Sequence, residues 1–157
     1  MSGAELTWSS QSILRKFLYW LPPFFWMAAI FYFSTDALSS GNTGGILITI
    51  VRWLIPDVSS ETFGLIHFLV RKAAHFTVYA ILALLTFRAL RSGAAERWQR
   101  RWALWSFLLV SVYALLDEYH QSFTRTRTGT PVDSFIDMTG GAFALMCLWL
   151  GSKRKRN

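Results

Sequence analysis

The sequence predicts an all-α, polytopic membrane protein with four transmembrane helices and a short interfacial or re-entrant helix in its first outer loop. Three observations carry this prediction. Apolar residues make up 53% of the 157-residue chain and charged residues only 16%, against about 25% charged in an ordinary soluble domain. The apolar residues fall into four blocks instead of being spread along the chain. The basic residues gather at the block ends that alternation places on one side. The length suits a single domain over residues 1–157.

The first block, 17–33, holds no charge. The second, 73–87, lies between Lys72 and Arg88, and the third, 102–116, between Arg101 and Asp117. The fourth, 138–150, reaches spanning length only with Asp133 and Asp137 included. A helix needs about 20 residues to cross a hydrocarbon core of about 30 Å. The expected spans are therefore 17–35, 68–88, 101–121 and 132–151. Helices of a soluble bundle alternate apolar and polar faces, and four such blocks leave too little polar surface for one. Pro22 and Pro23 sit near the basic end of the first block and predict a kink there. Arg15 and Lys16 ahead of an apolar run look like the start of a signal peptide, but no small-x-small cleavage site closes the run. An uncleaved anchor is expected. Trp20, Trp98, Trp102 and Trp149 stand near span ends, as interface anchors do.

Orientation follows from the basic residues. Eleven of the 16 fall on one side: Arg15 and Lys16, then Arg88, Arg91, Arg97, Arg100 and Arg101, then 153–156. Most of the acidic residues fall on the other. Both termini are expected in the cytoplasm; the family resemblance described below adds the expectation of a bacterial cytoplasmic (inner) membrane. This pattern accounts for the net charge of +7 without a nucleic-acid partner, and no basic stripe with interleaved aromatics suggests one. The single cysteine, Cys147, excludes an internal disulfide and a cysteine zinc cluster.

The long outer loop covers 36–71. Residues 39–45 read as flexible turn material. Residues 46–55 are apolar apart from Thr49 and Arg52, are followed by Pro56, and are too short to span. They predict a helix lying on the outer leaflet. Ser59 and Ser60 before Glu61 predict the cap of a helix that continues through His67 into the second span.

Counting about 20 residues outward from each cytoplasmic basic anchor brings ionisable groups to one depth on three helices. Lys72 and His75 lie there on the second span, Asp117 and Glu118 on the third, Asp133 and Asp137 on the fourth. Each costs several kcal/mol if it faces lipid, so they should face one another or a water-filled cavity. Helical spacing agrees: Lys72, His75 and Tyr79 share one face, as do Tyr113, Asp117 and Gln121, and Asp133, Asp137 and Gly141. Gly140 and Gly141 permit close approach of another helix. An outward-facing polar cavity holding these groups with Arg127 is expected.

These residues also carry a family resemblance. Arg71-Lys72-Ala73-Ala74-His75-Phe76 followed by Tyr79 resembles the R-K-x-x-H-F-x-x-Y signature of the VanZ-like membrane family. So does Asp117-Glu118-Tyr119-His120-Gln121-Ser122-Phe123, then Arg127, Asp133 and Asp137-Met138-Thr139-Gly140. Ser34 and the stretch 39–41 look like the family's first outer loop, and the resemblance extends over about residues 30–145. Where many members carry Pro-Gly before the arginine, this chain has Arg125-Thr126, so either Arg125 or Arg127 enters the site. The resemblance implies a small multi-span cell-envelope protein, linked through the family's name to resistance against the glycopeptide teicoplanin. It implies no particular reaction.

The residue types leave several chemistries open. As a carboxylate-dependent hydrolase or transferase, the chain would use Asp117 and Asp137 as a proton-sharing pair, Glu118 to raise a neighbour's pKa and His75 or His120 as a proton shuttle. Lys72, Tyr79, Gln121, Arg127 and Asp133 would bind substrate, with Lys72 and Arg127 on a phosphate. As a metal site, it would draw on His75, Asp117, Glu118, His120 and Asp133, although no H-E-x-x-H motif is present and the sequence requires no cofactor. As a non-enzymatic binding or modulator protein, it would hold a lipid headgroup, a lipid-linked envelope precursor or a glycopeptide. A mainly structural cluster would pair Lys72 with Asp117 and Arg127 with Asp133. Membrane lipids are partners in every case, and an oligomer is compatible with all of them.

Overall fold

The computed structural model describes residues 3–35, 40–123 and 131–154. They form five helices: α1 (Gly3–Phe33), α2 (Ser40–Leu54), α3 (Ser60–Arg91), α4 (Arg100–Gln121) and α5 (Pro131–Arg154). No strand occurs among the described residues. Each expected span lies within a helix except 17–35, whose last two residues follow the end of α1. α1 stays one helix through Pro22 and Pro23. α2 begins earlier than the apolar run 46–55, taking in polar residues read from the sequence as a turn. Small polar residues suit a first helical turn, whose N–H groups have no intrahelical acceptor.

α3 starts at the expected cap: the Ser59 side chain accepts from the Thr62 N–H at 3.2 Å. It ends at Ser92, which adopts a left-handed conformation (φ 47°) and donates its N–H to Arg88 and Ala89 carbonyls, with Gly93 following at φ 78°. At 32 residues, α3 is about 48 Å long, well beyond the thickness of a bilayer core. α3 and α5 are long and apolar enough to cross a membrane, the latter over Val132–Arg154. α1 carries Pro22 and Pro23 within its apolar part, and α4 closes on Asp117, Glu118 and His120. These residues dilute the apolar character of both helices.

The cross-helix contacts give the topology. Tyr79 meets Asp117 and Thr86 meets Ser106, so α3 and α4 are antiparallel. Lys72 meets Asp133 and His75 meets Asp137, so α3 and α5 are parallel. The Tyr113 hydroxyl donates to the Met27 carbonyl (2.6 Å) and Gln121 approaches Ser34, so α1 and α4 are parallel. The core between them holds Ile30, Tyr79, Leu82, Ala83, Phe87, Trp102, Val110, Ala114, Ala144 and Leu145.

The polarity of this bundle is inverted relative to a water-soluble one. On α4, Leu104, Trp105, Leu108, Leu109, Val112, Leu115 and Leu116 are exposed, whereas Ser106, Asp117, Glu118 and Gln121 are buried. On α5, Val132, Phe135, Phe143, Met146 and Leu150 are exposed while Asp133, Ser134 and Asp137 are buried. A contiguous apolar exterior of this extent marks contact with something other than water. Gly140 sets the approach of α5 to α3, since a Cβ there would fall on the Phe76 carbonyl oxygen. Gly141 faces the side chains of Val110 and Ala83, which a Cβ there would meet at 3.0 and 3.6 Å, a milder contact.

Candidate functional site

α3, α4 and α5 converge at the end of the bundle away from the basic loop and tail, and there they bury a polar cluster. Lys72, His75 and Tyr79 repeat on one face of α3 because their spacing follows the helical period. Asp117, Glu118 and Gln121 come from the last turns of α4, and Asp133, Ser134 and Asp137 from the first turns of α5. Asp117, Glu118, Gln121, Asp133 and Asp137 are all buried, Gln121 and Asp137 completely.

Each charged or polar head has a specific neighbour. The Lys72 ammonium donates to Asp133 Oδ1, and the Arg71 guanidinium lies 3.7 Å from Asp133 Oδ2. His75 Nδ1 is 3.1 Å from Asp137 Oδ1. The Tyr79 hydroxyl donates to Asp117 Oδ2 at 3.0 Å, and Gln121 Nε2 donates to the same oxygen at 3.0 Å. Gln121 Nε2 also lies 3.5 Å from Ser34 Oγ, which ties the end of α1 to the cluster. Donor atoms of His75, Glu118 and Asp137 all lie within 4.8 Å of one another. Lys72 Nζ also stands 5.1 Å from the Phe68 ring centre.

The cluster is layered by exposure. The side chains of Arg71, Lys72 and His75 are 28%, 19% and 13% exposed, while those of Asp133 and Asp137 are 4% and 0%. A cationic rim therefore lies over a carboxylate floor.

Two expected arrangements change. Lys72 pairs with Asp133 and not with Asp117, whose near partners are Tyr79 and Gln121. Of the metal-ligand candidates, His75 and Glu118 come together, joined by Asp137; Asp117 and Asp133 are engaged elsewhere, and His120 stacks on Phe31 at 4.3 Å. Arg125 and Arg127 lie outside the described residues. The sequence reading did not assign Arg71 to the cluster, although it precedes Lys72 in the motif, and it did not assign Ser134, whose position beside Asp133 on the buried face of α5 was the available signal.

Elsewhere, a groove of about 980 Å³ runs along α3 and α5 toward the opposite end, lined by Phe76, Leu84, Phe143 and Leu148 with Arg91 and Arg97. Trp26 Nε1 donates to the Val78 carbonyl at 2.9 Å and fixes α1 against α3 below the cluster.

Comparison with known proteins adds one finding: the family model described as VanZ/LLP1 matches residues 18–152. No curated protein and no solved structure matches the chain.

Proposed function

The chain belongs to the VanZ/LLP1 family, and from that premise we propose that its polar cluster receives an anionic group at the outer leaflet of the inner membrane. The group belongs to a lipid, a lipid-linked envelope intermediate or a glycopeptide. Family membership links the chain to the cell envelope and to teicoplanin resistance. Two helices long and apolar enough to cross a membrane, with the family, support a membrane protein.

The four-span topology extends this. The outward faces of α1 and α4 support it: Phe17, Leu18, Leu21, Phe24 and Phe25 on α1, and the exposed leucines of α4, are as apolar as those of α3 and α5. Basic residues at the α3–α4 turn and the end of α5 support an orientation with both termini in the cytoplasm.

One observation carries the proposal. Each of three helices carries a buried or half-buried ionisable group sixteen residues from a basic anchor: Lys72 from Arg88, Asp117 from Arg101, Asp137 from Lys153. Sixteen residues of helix span about 24 Å, so each count ends short of the far side of a core of about 30 Å, and the paired groups spread from Lys72–Asp133 inward to Tyr79–Asp117 over about 10 Å. Charge buried at that depth is expensive and is a functional hint by default. The rim of Arg71 and Lys72 suits a phosphate or carboxylate. Beneath it, His75 can exchange a proton with Asp137, while Tyr79 and Gln121 hold Asp117 in place. That floor suits a carboxylate-dependent hydrolase or transferase acting on the bound group.

A second reading has its own support. Lys72–Asp133 and His75–Asp137 are already paired inside the bundle, as in a cluster that specifies helix packing within a modulator protein.

Native mass spectrometry of the full chain, released from mild detergent, separates the two. The wild type is expected to retain an anionic phospholipid or polyprenyl species, which Lys72→Ala and Asp117→Asn lose. A bare wild type, or equal retention in folded variants, would refute the lipid proposal and favour the structural one. Glycopeptide binding is tested by adding teicoplanin to the same samples.

A further inference from the structure

We propose that His75, Glu118 and Asp137 form a site for one divalent cation of the zinc or manganese class on the floor of the polar cluster. The proposal deepens the reading above and rests on it for the identity of the cation's second partner, an anionic oxygen arriving over the rim.

The three residues come from three helices, α3, α4 and α5, and their donor atoms lie within 4.8 Å of one another. One imidazole nitrogen and two carboxylate oxygens form a donor set that zinc and manganese accept. A set of three leaves coordination positions for an external oxygen, the pattern of a working site more than of a closed structural one.

Asp137 supplies an independent sign. Its side chain is 0% exposed, and its Oδ2 is buried with no hydrogen-bond partner. Buried polar atoms are nearly always partnered, and each exception calls for a physical explanation. His75 Nδ1 approaches only Oδ1. A cation among the three residues accounts for the remaining oxygen.

Charge balance points the same way. Among the described residues, Asp117, Asp133 and Asp137 are buried at this end of the bundle. Arg71 and Lys72 both lie directly against Asp133. Tyr79 and Gln121 give Asp117 hydrogen bonds but no charge. Buried carboxylates require protons or a counter-ion, and a divalent cation supplies the counter-charge at one point. Partial exposure of His75 leaves a route for the ion from the rim.

The test uses the full chain in mild detergent, stripped with a chelator and dialysed against Zn²⁺ or Mn²⁺. Metal per chain is measured by inductively coupled plasma mass spectrometry, and melting temperature is followed in parallel. The wild type is expected to hold one ion and melt higher with it. His75→Ala and Glu118→Gln should bind at least about tenfold more weakly, the lower end of what second-shell changes alone cost a metal site. Ser106→Ala, at the far end of the bundle, should bind as the wild type does. A folded wild type without stoichiometric metal overturns the site, as does a folded His75→Ala that holds as much metal as the wild type. Lipid retention is read on the same samples. Lipid without metal removes the cation site alone, whereas metal without lipid removes the lipid reading and leaves the cation site standing.

Discussion

Replacing Gly140 by alanine adds one methyl group at the point where α5 lies closest to α3. A Cβ at this position would land on the Phe76 carbonyl oxygen and within about 3 Å of its carbonyl carbon and Cα. These are backbone atoms of α3, so no side chain can swing aside. Carbon–oxygen contacts settle at about 3.3–3.6 Å, and relieving this one requires the helices to part by about 1 Å. Overpacking of this kind costs about 1–3 kcal/mol, while Gly→Ala inside a helix returns up to about 1 kcal/mol. The net expectation is a loss of about 1–2 kcal/mol, or about 2–8 °C in melting temperature for a chain of this size. Gly64 is the control. It is also helical, but a Cβ there meets nothing within 4 Å, so Gly64→Ala should melt at or slightly above the wild type. The assay is thermal unfolding in detergent followed by the fluorescence of the 8 tryptophans. Parting α3 from α5 also pulls His75 from Asp137, because both lie within one turn of the contact. Gly140→Ala should therefore lose ligand retention together with stability. If it melts with Gly64→Ala at or above the wild type, the close approach of α3 and α5 is refuted.

Four further outcomes are expected. Tyr79→Phe removes a buried hydrogen bond to Asp117 and should cost about 1.5–3 kcal/mol when the acceptor is charged, read as a lower melting temperature. A double-mutant cycle on Lys72→Ala and Asp133→Ala should show coupling of about 0.5–3 kcal/mol, because the two are direct partners; additive single losses would count against the pair. Ser106→Ala removes the Thr86–Ser106 bond (2.5 Å) and the Ser106 bond to the Ala83 carbonyl (2.9 Å). It should lower stability by about 1–2 kcal/mol and leave ligand retention unchanged. Ser59→Ala removes the cap of α3, worth about 1 kcal/mol, and hydrogen exchange should quicken only over the first turn after Ser60.

The end of the bundle at which the ionisable groups gather was legible in the sequence because it depends only on counting along one helix at a time; their relative levels were not. The spacing from Arg88 to Lys72, from Arg101 to Asp117 and from Lys153 to Asp137 is a property of each helix alone. Faces were legible for the same reason, since the helical period put Lys72, His75 and Tyr79 on the stripe of α3 that the bundle uses. The start of α3 was legible because Ser59 is a local signal. The start of α2 was not, because a polar stretch of Ser, Gly, Asn and Thr codes equally for a turn and for the first turn of a helix.

Partners were harder to read because they depend on how one helix is shifted along another. Lys72 and Asp117 seemed natural mates at a shared depth, yet in the antiparallel pair α3–α4 the level partners are Tyr79 with Asp117 and Thr86 with Ser106. Lys72 lies seven residues above Tyr79, about 10 Å along the helix. The position level with it on α4 falls beyond Gln121, the last residue of that helix. Among the described residues, the carboxylate paired with Lys72 comes from α5, which runs parallel to α3, and it is Asp133. The same shift places Asp137 opposite His75 one turn further in. The contact that sets this shift is Gly140 on Phe76, where backbone meets backbone. A small residue that reads from sequence as general permission for close packing thus selects which carboxylate goes to the lysine and which goes to the imidazole. That choice leaves Asp137 Oδ2 buried and without a hydrogen-bond partner beside Glu118, the geometry from which the cation site is inferred.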